Sequence, residues 1–315
     1  MSVPDVPDRV HSEFLNLDID VGELSRLVAG AAGHSYRLAS LHVRCTYPVF
    51  RGEAGDGAVP VFVKVGQMDE WLRTRRLLRD VDGCDLFAPL RVTEPLTYRG
   101  FAVFVFDWRA SRVVFPEDMN GAQAESFVAG CARLSEALQR ATAFTPLAAS
   151  PVAPERLYGV LAKYAADHPL PARGLSRLLS IPPEARTFAG RRLCVMHGDF
   201  HAKNFAFDGD RFSSVFDFDQ LTEGLAGGDL ANALVERFSL LSLPSSSRGR
   251  LERVTRRIVS LWPGPREELA IMVNVLRLRY AARRIEKHPD SLWVAFDIVR
   301  RDRRIADLLR ILKEV

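Results

Sequence analysis

The residue pattern of this 315-residue chain changes sharply near Trp108, and the change limits what the chain can fold into. Before that point, short segments rich in Val, Phe and Tyr alternate with turn residues, which favours β-strands. In the segment VPVFVKV the valines share one face, while Phe62 and Lys64 share the other. After Trp108, apolar residues recur mainly at helical spacing. The pattern predicts an α+β protein with a small antiparallel-sheet lobe at residues 1–106 and a larger, mainly helical lobe at 107–315.

Several elements can be assigned inside these two lobes. Apolar spacing predicts helices at residues 21–32, 69–79, 154–167 and 173–180, from Asp229 to about Leu241, and after Pro265. The residues TYRG predict the turn of a β-hairpin, and Asn120 with Gln123 predicts a capping box at a helix start. Residues 242–250, SLPSSSRGR, are predicted to form a flexible loop.

Composition excludes several classes of protein. Hydrophobic residues make up 47% of the chain and charged residues 26%, so there is enough apolar surface for a folded core. No apolar run reaches the roughly 18 residues of a membrane helix, and the acidic, proline-containing start does not resemble a signal peptide. The four cysteines are far apart and form no CxxC pair, which argues against a zinc site or a disulfide framework: Cys45, Cys84, Cys131 and Cys194. We therefore expect a reduced, cytoplasmic setting and no membrane partner.

Charge is distributed unevenly along the chain. The net charge is +4, but 17 basic residues accompany nine acidic ones from Ser239 onward. Solvated helix faces explain this excess better than a binding surface does. No nucleic-acid partner is expected.

Polar residues are concentrated in one stretch, residues 194–234, which contains two short apolar runs. A polar loop between strands, followed by an aspartate at a strand end, is suited to holding Mg²⁺, which takes oxygen ligands from one or two side chains plus phosphate and water. Asn204 and Asp217 are placed to supply those ligands. Asp199, five residues before Asn204, is placed to accept a proton from a substrate hydroxyl.

The sequence HGDFHAKN, followed by VFDFD and then by Asp229-Leu230-Ala231, resembles the signature of the aminoglycoside phosphotransferase and choline kinase family. That signature is His-Gly-Asp, four residues, Asn, and an Asp at a strand end about a dozen residues later, with Asp-Leu-Ala closing the block. The resemblance implies a bilobal, protein-kinase-like fold. It also implies that the chain moves the terminal phosphoryl group of ATP or GTP to a hydroxyl of a small molecule and requires Mg²⁺.

The resemblance implies roles for the matching residues. Asp199 is expected to be the catalytic base or to orient the attacking hydroxyl. Asn204 and Asp217 are expected to bind Mg²⁺ on the nucleotide phosphates. His197 is expected to brace the catalytic loop, and Asp229 to cap its helix and hold that loop by backbone hydrogen bonds.

In the first lobe the resemblance implies a strand lysine that binds the nucleotide phosphates. Lys64 fits this role and is the only lysine among the first 160 residues, although an edge-strand lysine that blocks aggregation is an alternative. Kinases pair this lysine with a glutamate on the next helix. Glu70 falls about one turn earlier than the family usually places it, and Asp69 competes with it.

The nucleotide contacts leave further alternatives open. The segment FVFDW, which includes Phe104 and Phe106, fits the hinge whose backbone groups bind the adenine edge, and it also fits a buried strand. The stretch SYRLASLHVRCTYPVF contains no glycine-rich phosphate loop, which leaves ATP and GTP both open.

Two residues of the catalytic block, His201 and Asp219, each keep two interpretations. His201 either steadies the transferred phosphoryl group or binds a backbone carbonyl. Lys203 is explained best as a solvated loop residue. Asp219 is a secondary metal or substrate contact or, slightly better, a solvated loop residue.

Two other classes of protein compete with the kinase hypothesis. The sequence VFDFDQLT imitates the first motif of haloacid-dehalogenase-like phosphatases, with Asp217 as nucleophile and Asp219 as acid/base. Leu221 stands where that motif has Thr or Val, and the strand–helix alternation that its fold needs is missing after residue 229. The other competitor is a kinase-like protein that binds nucleotide without turnover.

One predicted C-terminal helix carries four arginines along or inside its apolar stripe: Arg277, Arg279, Arg283 and Arg284. The resemblance implies that the C-terminal helices and the segment at about 143–190 build the acceptor site. Arginines there would oppose a polycation. We therefore expect a neutral or anionic acceptor, such as a sugar or sugar phosphate, rather than an aminoglycoside.

Overall fold

The chain folds as two compact units, Met1–Ala110 and Ser111–Val315. The computed structural model describes residues 9–41, 47–81, 84–109, 111–140, 153–168, 173–240, 242–289 and 291–315. The assignment of nucleotide binding and catalysis to lobes 1–106 and 107–315 stays a prediction.

The first unit is built on a five-stranded antiparallel sheet. Its helices are α1 Val21–Ala32 and α2 Met68–Asp80. Its strands are β1 Arg9–Ser12, β2 Leu17–Asp20, β3 Tyr36–Ser40, β4 Val49–Ala54, β5 Val61–Gly66, β6 Leu96–Tyr98 and β7 Phe101–Asp107. The sheet has the order β3-β4-β5-β7-β6, and β1 and β2 form a separate hairpin. The predicted antiparallel sheet with one or two helices is confirmed.

The valine face of β5 forms the main core of this unit. Val61, Val63 and Val65 are fully buried in one apolar cluster with α1 residues such as Leu24. The opposite face, which carries Lys64, lies on the α2 side of the sheet. This is the arrangement that the alternation in VPVFVKV predicts.

Local signals place the ends of several elements. Helix α1 begins where Asp20 Oδ1 accepts the Glu23 N–H at 2.8 Å. The β6–β7 hairpin turns through Arg99 and Gly100, whose φ angles of 49° and 87° are those of a type I′ turn. The predicted helix at 21–32 and the predicted TYRG hairpin are therefore confirmed.

The second unit is mainly helical. Its helices are α3 Gly121–Arg140, α4 Pro154–Asp167, α5 Ser176–Leu179, α6 Gly228–Ser239, α7 Ser245–Leu261, α8 Arg266–Lys287 and α9 Leu292–Glu314. Its strands are β8 Cys194–Met196, β9 Phe205–Asp208, β10 Arg211–Val215 and β11 Thr222–Gly224, paired antiparallel as β8 with β11 and β9 with β10. The predicted helices at 154–167, near 229–241 and after Pro265 are confirmed.

Helix α3 begins at a capping box and packs against a cluster of aromatic rings. Asn120 Oδ1 accepts the Gln123 N–H at 2.9 Å, and Gln123 Oε1 accepts the Asn120 N–H at 3.1 Å, as predicted. The cluster consists of five buried phenylalanines with neighbouring centroids 5.0–6.5 Å apart: Phe127, Phe200, Phe205, Phe207 and Phe212. This cluster supports the loop that carries the polar motif.

One predicted loop is wrong. Residues 242–250 were expected to be flexible, yet α7 begins at Ser245 within them. The serine-rich start has loop composition, but Leu251, Ile258 and Val259 further along bury one face of the helix. Tertiary packing of that face overrides the local composition.

Three of the four cysteines lie within the described ranges. Cys84, Cys131 and Cys194 are free thiols, and Cys45 lies outside those ranges. No helix that the structure describes is long and apolar enough to cross a membrane. Residues 141–152 and 169–172, part of the segment expected to help build the acceptor site, also lie outside the described residues.

Candidate active site

A lysine–glutamate pair lies on the sheet of the first unit. Lys64 Nζ on β5 is 2.5 Å from Oε1 of Glu70, which is in the first turn of α2. Both side chains are nearly buried, with exposed fractions of 10% and 4%. The ammonium also lies over the rings of Tyr47 and Phe104, 4.6 and 5.7 Å from their centroids. Glu70, rather than Asp69, is the carboxylate that pairs with Lys64.

A glycine explains how this glutamate reaches the lysine from so early in its helix. Strand β5 ends at Gly66, and only Gln67 separates it from the first residue of α2. A Cβ atom on Gly66 would lie 3.0 Å from Glu70 Oε2 and 3.2 Å from the Phe104 ring. The missing side chain lets the first turn of α2 lie directly against the end of β5.

Aromatic side chains surround the lysine on the same face of the sheet. Lys64 is opposite Phe104 and Phe62 is opposite Phe106 in the β5–β7 ladder, and residues directly opposite share a face. The Phe106 ring centroid lies 6.2 Å from that of Phe62 and 6.2 Å from that of Phe104. Phe104 is buried beside Trp71, whereas Phe62 and Phe106 are half-buried. The two half-buried rings extend the lysine site with an apolar surface.

The two backbone N–H groups after Phe106 are hydrogen-bonded within the first unit. The Asp107 N–H donates to the Pro89 carbonyl at 3.1 Å, and the Trp108 N–H donates to the Pro60 carbonyl at 2.8 Å. Residues 104–107 of the segment FVFDW belong to strand β7, in agreement with one of its two sequence interpretations. Binding of a base by the backbone of Phe104 or Phe106 stays a prediction.

The His-Gly-Asp motif forms the loop between β8 and β9 of the second unit. The Asp199 side chain is 42% exposed, whereas the next residue, Phe200, is fully buried in the aromatic cluster. Asn204 Nδ2 donates to the Asp199 backbone carbonyl at 2.8 Å. The Lys203 N–H donates to His201 Nδ1 at 3.3 Å, and His201 Nε2 lies 3.6 Å from Asp199 Oδ2. The loop presents the Asp199 carboxylate to solvent from a fixed backbone.

A fully buried histidine joins this loop to the segment that carries Asp217. His197 Nε2 donates to the Phe216 carbonyl at 2.6 Å, because a carbonyl oxygen can only accept. The Phe216 N–H in turn donates to the Asn204 carbonyl at 2.8 Å. Phe216, which the sequence reasoning missed, therefore ties three motif residues together through its own peptide groups. Its position directly before Asp217 is the only signal that pointed to it.

A buried carboxylate holds the start of the loop from the other side. Asp229 Oδ2 and Oδ1 accept the N–H groups of His197 and Gly198 at 3.0 and 3.2 Å. Burial raises the pKa of Asp229. The expected capping role of Asp229 is wrong, because the N-cap of α6 is Gly227 and no side chain caps it. The carboxylate binds the loop instead of its own helix end.

An arginine from α8 also reaches the loop, and the sequence reasoning did not find this contact. Arg279 Nη1 donates to the Gly198 carbonyl at 2.6 Å, and its side chain is buried. The two residues are far apart in the sequence and the acceptor is a backbone atom. The spacing of residues within a motif therefore cannot indicate this contact. Its position at the edge of the apolar stripe was the one available signal.

Asp217 has an unusual backbone conformation. Its φ of 62° and ψ of 70° are left-handed, which costs a residue with a side chain about 1–3 kcal/mol. The other non-glycine residues with positive φ in the described ranges, Asn16 and Arg99, lie in turns between paired strands. Strand β10 ends at Val215, so Asp217 leaves the strand in this conformation. Such strain is concentrated at functional sites, which supports a role for the Asp217 carboxylate.

The donor atoms in the second unit suit a magnesium ion. Asn204 Nδ2 is used by the Asp199 carbonyl, so Oδ1 is the amide atom suited to a cation, together with the Asp217 carboxylate. No group of three or more His, Cys, Asp or Glu residues that could hold a metal occurs in the described part of the chain. Two oxygen-bearing side chains, completed by phosphates and water, are what Mg²⁺ commonly takes in nucleotide sites.

The haloacid-dehalogenase-like alternative is wrong. That fold needs a mainly parallel sheet with alternating helices. The strands described in the second unit instead form two antiparallel pairs, and Asp217 follows one strand of such a pair. Asp219 lies in the short turn after Asp217, and its side chain is outside what the structure describes.

The expectation that the four arginines present positive charge to an acceptor is wrong for three of them, one of which is the buried Arg279. Arg277 makes a bidentate pair with Asp302 at 2.7 and 3.1 Å, and Arg284 lies 2.7 Å from Asp297. Both carboxylates belong to α9, so these pairs join α8 to α9. Arg283 is exposed. The charge argument therefore rests on fewer residues than the sequence suggested.

Comparison with known families gives one match that spans more than half of the chain. The model of a family described as the phosphotransferase enzyme family matches residues 61–267. No curated protein matches the chain.

Three solved structures of similar fold are phosphotransferases that act on small molecules. Macrolide 2′-phosphotransferase MphH from Brachybacterium faecium is 16% identical, with 92% of this chain and 97% of that chain covered and a TM-score of 0.57. Spectinomycin phosphotransferase APH(9)-Ia bound to AMP is 12% identical, with 94% and 98% covered and a TM-score of 0.57. A thermostable mutant of aminoglycoside phosphotransferase APH(4)-Ia bound to ADP and hygromycin B is 14% identical, with 90% and 98% covered and a TM-score of 0.55. The predicted α+β, kinase-like fold is confirmed.

Proposed function

Because the chain belongs to the phosphotransferase enzyme family, we propose that it moves the terminal phosphoryl group of ATP or GTP to a hydroxyl of a small molecule, with Mg²⁺ as its metal. The predicted family and the predicted enzyme class are confirmed by that membership. The nucleotide, the metal, the acceptor and the roles of individual residues are proposals.

The observation that carries the proposal is the pair of backbone hydrogen bonds at Phe216. His197 donates to its carbonyl and its N–H donates to Asn204. These bonds hold the segment that carries Asp217 beside the loop that carries Asp199. Phosphoryl transfer depends mainly on such positioning and on charge neutralisation.

We assign the proton transfer to Asp199. As the acceptor hydroxyl attacks the γ-phosphorus, its proton passes to an Asp199 carboxylate oxygen. A bond from the acceptor oxygen to phosphorus forms, the bond from phosphorus to the β,γ-bridging oxygen breaks, and the nucleoside diphosphate leaves with that electron pair. The exposure of the Asp199 carboxylate supports this role, since a buried carboxylate would not reach a substrate. His201, whose Nε2 lies 3.6 Å from that carboxylate, is proposed to steady the transferred phosphoryl group.

Asn204 Oδ1 and the Asp217 carboxylate are the proposed magnesium ligands. When bound, Mg²⁺ would neutralise negative charge on the phosphates. The hydrogen bond from Asn204 Nδ2 to the Asp199 carbonyl supports the assignment. It fixes the orientation of the Asn204 amide and leaves Oδ1 as the atom that would bind the metal. The left-handed backbone of Asp217 also supports the assignment, since such conformations are concentrated at functional sites.

The first unit is proposed to bind the nucleotide through Lys64 and the aromatic surface beside it. The pair with Glu70 fixes the Lys64 ammonium, and a fixed ammonium suits a phosphate oxygen. The half-buried rings of Phe62 and Phe106 suit the flat face of a base. Glycine is absent from the sequence between β3 and β4, so the glycine-rich sequence of the protein-kinase phosphate loop is missing there.

A neutral or anionic acceptor, such as a sugar or sugar phosphate, is proposed. The remaining support is Arg283, exposed on the helix whose Arg279 touches the catalytic loop. Like charges there would disfavour a polycation. Ion pairing of Arg277 and Arg284 with α9 removes these two residues from the argument.

Transfer from γ-³²P-labelled ATP and GTP to a panel of acceptors tests the proposal. The panel contains sugars, sugar phosphates, amino alcohols, kanamycin, hygromycin B, spectinomycin and a macrolide, each with Mg²⁺ and with EDTA. We expect labelled product from at least one compound, only with Mg²⁺. Nucleotide binding without transfer to any compound would instead favour the kinase-like binding protein. Kanamycin turnover with kcat/KM near 10⁴ M⁻¹s⁻¹ or above, on the usual enzyme scale of roughly 10⁴–10⁸, would contradict the acceptor proposal alone.

A further inference from the structure

Gly198, the residue before Asp199, is held at both of its peptide groups by side chains from two different helices. Its N–H donates to Oδ1 of Asp229 on α6 at 3.2 Å. Its carbonyl accepts from Nη1 of Arg279 on α8 at 2.6 Å. A buried carboxylate and a buried guanidinium therefore fix the peptide that leads directly into Asp199.

Gly198 has no side chain that could fix its position. Its φ is +78°, and a Cβ atom on it would lie only 1.9 Å from the Gln220 carbonyl oxygen. A residue that must be glycine can be held only through its backbone N–H and carbonyl groups. This explains why two long-range side-chain contacts converge on it.

Burial of the Arg279 guanidinium is energetically unfavourable, and packing alone does not explain why it is buried. Its side chain is 6% exposed, and its Nε is buried with no hydrogen-bond partner. Burial and the neighbouring Arg283 lower the pKa of Arg279 to about 10, while Asp199 acts in the opposite direction. No ion pair of Arg279 occurs among the residues that the structure describes. A buried guanidinium without a carboxylate partner is unfavourable unless another contact requires it.

Arg277, two residues earlier on α8, provides the comparison. It is also 6% exposed, but it makes a bidentate pair with Asp302 and a further hydrogen bond to Asn274. Arg277 is thus a structural arginine with its charge matched. Arg279 is also charged and buried, but its guanidinium contacts one backbone carbonyl of the catalytic loop instead of a carboxylate.

We propose that Arg279 is a positioning residue for phosphoryl transfer, which holds the Gly198 carbonyl and thereby fixes Asp199 where it accepts the proton. This inference rests on the proposed function. Arg279 acts through the loop and is not assigned a contact with the nucleotide or the acceptor. Arg279 belongs neither to the His-Gly-Asp motif nor to the residues that follow it in the sequence.

The test compares Arg279→Met and Arg279→Lys with the native chain. Arg279→Met keeps the length of the side chain and removes the donor, and we expect kcat to fall about 10- to 100-fold, since a misplacement near 1 Å can have that effect. The KM values for ATP and for the panel compound that the native chain phosphorylates fastest are expected to stay within about twofold. Arg279→Lys keeps the charge and a donor in a different geometry, and we expect an intermediate kcat.

Amide hydrogen exchange over residues 194–205 supplies a readout that needs no acceptor. We expect exchange there to be faster in Arg279→Met than in the native chain, because Gly198 has lost one of the two side chains that hold its peptide groups. Lys287→Met is the matched control, since it removes an exposed positive charge from the same helix. The control should leave kcat and exchange unchanged.

Three outcomes would overturn the inference. These are a folded Arg279→Met variant with native kcat, loop exchange that is unchanged in that variant, and a rise of about tenfold or more in acceptor KM with kcat retained, which would assign Arg279 to acceptor binding. If Arg279→Met does not fold, Arg279→Lys decides, and its native kcat would overturn the inference. Failure of the proposed function looks different, because the native chain would then transfer no phosphoryl group while the exchange result could still be measured.

Discussion

The buried pair of Lys64 and Glu70 allows stability and function to be separated by mutation. Removing one partner of a buried ion pair costs about 3–5 kcal/mol, because the other charge is left uncompensated. Here the two side chains are 10% and 4% exposed and the bond is 2.5 Å long, and Glu70 Oε2 is already buried with no hydrogen-bond partner. Lys64→Met should therefore lower the free energy of unfolding by an amount in that range.

The double variant Lys64→Met/Glu70→Leu should recover most of this loss. Apolar residues of similar volume can replace a buried pair at little or no net cost. We expect the double variant to unfold within about 1 kcal/mol of the native chain, which gives a coupling energy of at least about 2 kcal/mol in the double-mutant cycle. Nucleotide affinity should stay weakened in the double variant, because the phosphate-binding ammonium is still absent.

These quantities are measured by urea unfolding and nucleotide titration of the native chain, the single variants Lys64→Met and Glu70→Leu, and the double variant. Arg75→Met is the control, since Arg75 on the same helix α2 pairs with Glu94 while 44% exposed, and an exposed pair contributes about 1 kcal/mol or less. Additive single effects, or a loss below about 1 kcal/mol for Lys64→Met, would refute the reasoning about the buried pair. Native nucleotide affinity in the double variant would refute the assignment of Lys64.

Three further predictions concern the second unit. Asp217→Ala should remove Mg²⁺-dependent nucleotide binding, measured by calorimetry with and without EDTA, and unchanged affinity would contradict the metal assignment. Phe200→Ala should lower the free energy of unfolding by about 3–5 kcal/mol, measured by urea unfolding, because it removes a fully buried ring from the aromatic cluster; a loss below about 1 kcal/mol would contradict that role. Burial raises the pKa of the Cys194 thiol to about 11, so this residue should be neutral at pH 8 and resist iodoacetamide in the native chain but not in urea, as mass spectrometry would show; rapid native labelling would be the contrary result.

Local patterns in the sequence predicted the sheet unit well. Alternation placed Lys64 opposite a buried valine face, and the turn residues before Phe101 placed a hairpin, since both depend on neighbours in the chain. The choice between Asp69 and Glu70 depended on how closely α2 approaches β5. Gly66 allows that close approach, and the local pattern of apolar and polar residues does not indicate it.

The candidate site could be predicted only where its residues share one segment. Asp199, Asn204 and Asp217 lie within 20 residues of one another, so their spacing indicated a common chemistry. The role of Arg279 depends on a contact to a backbone atom far away in the sequence, so no motif spacing indicated it. The loop-holding hydrogen bonds expected of Asp229 are present, because this residue belongs to the same sequence block. The short strands β9 and β11 and the helix α9 were also missed, although the turn residues Gly209 and Asp210 between β9 and β10 could have indicated a hairpin there.

The central claim is that Asp199 accepts the proton during phosphoryl transfer, and one paired measurement on Asp199→Asn tests it. The rate of ³²P transfer from labelled nucleotide to the fastest compound of the panel is measured beside the nucleotide Kd of the same protein. The account predicts that the transfer rate falls by about 10²-fold or more while the Kd stays within about twofold, because the base does not hold the phosphates. A near-native transfer rate in the folded variant would contradict the account.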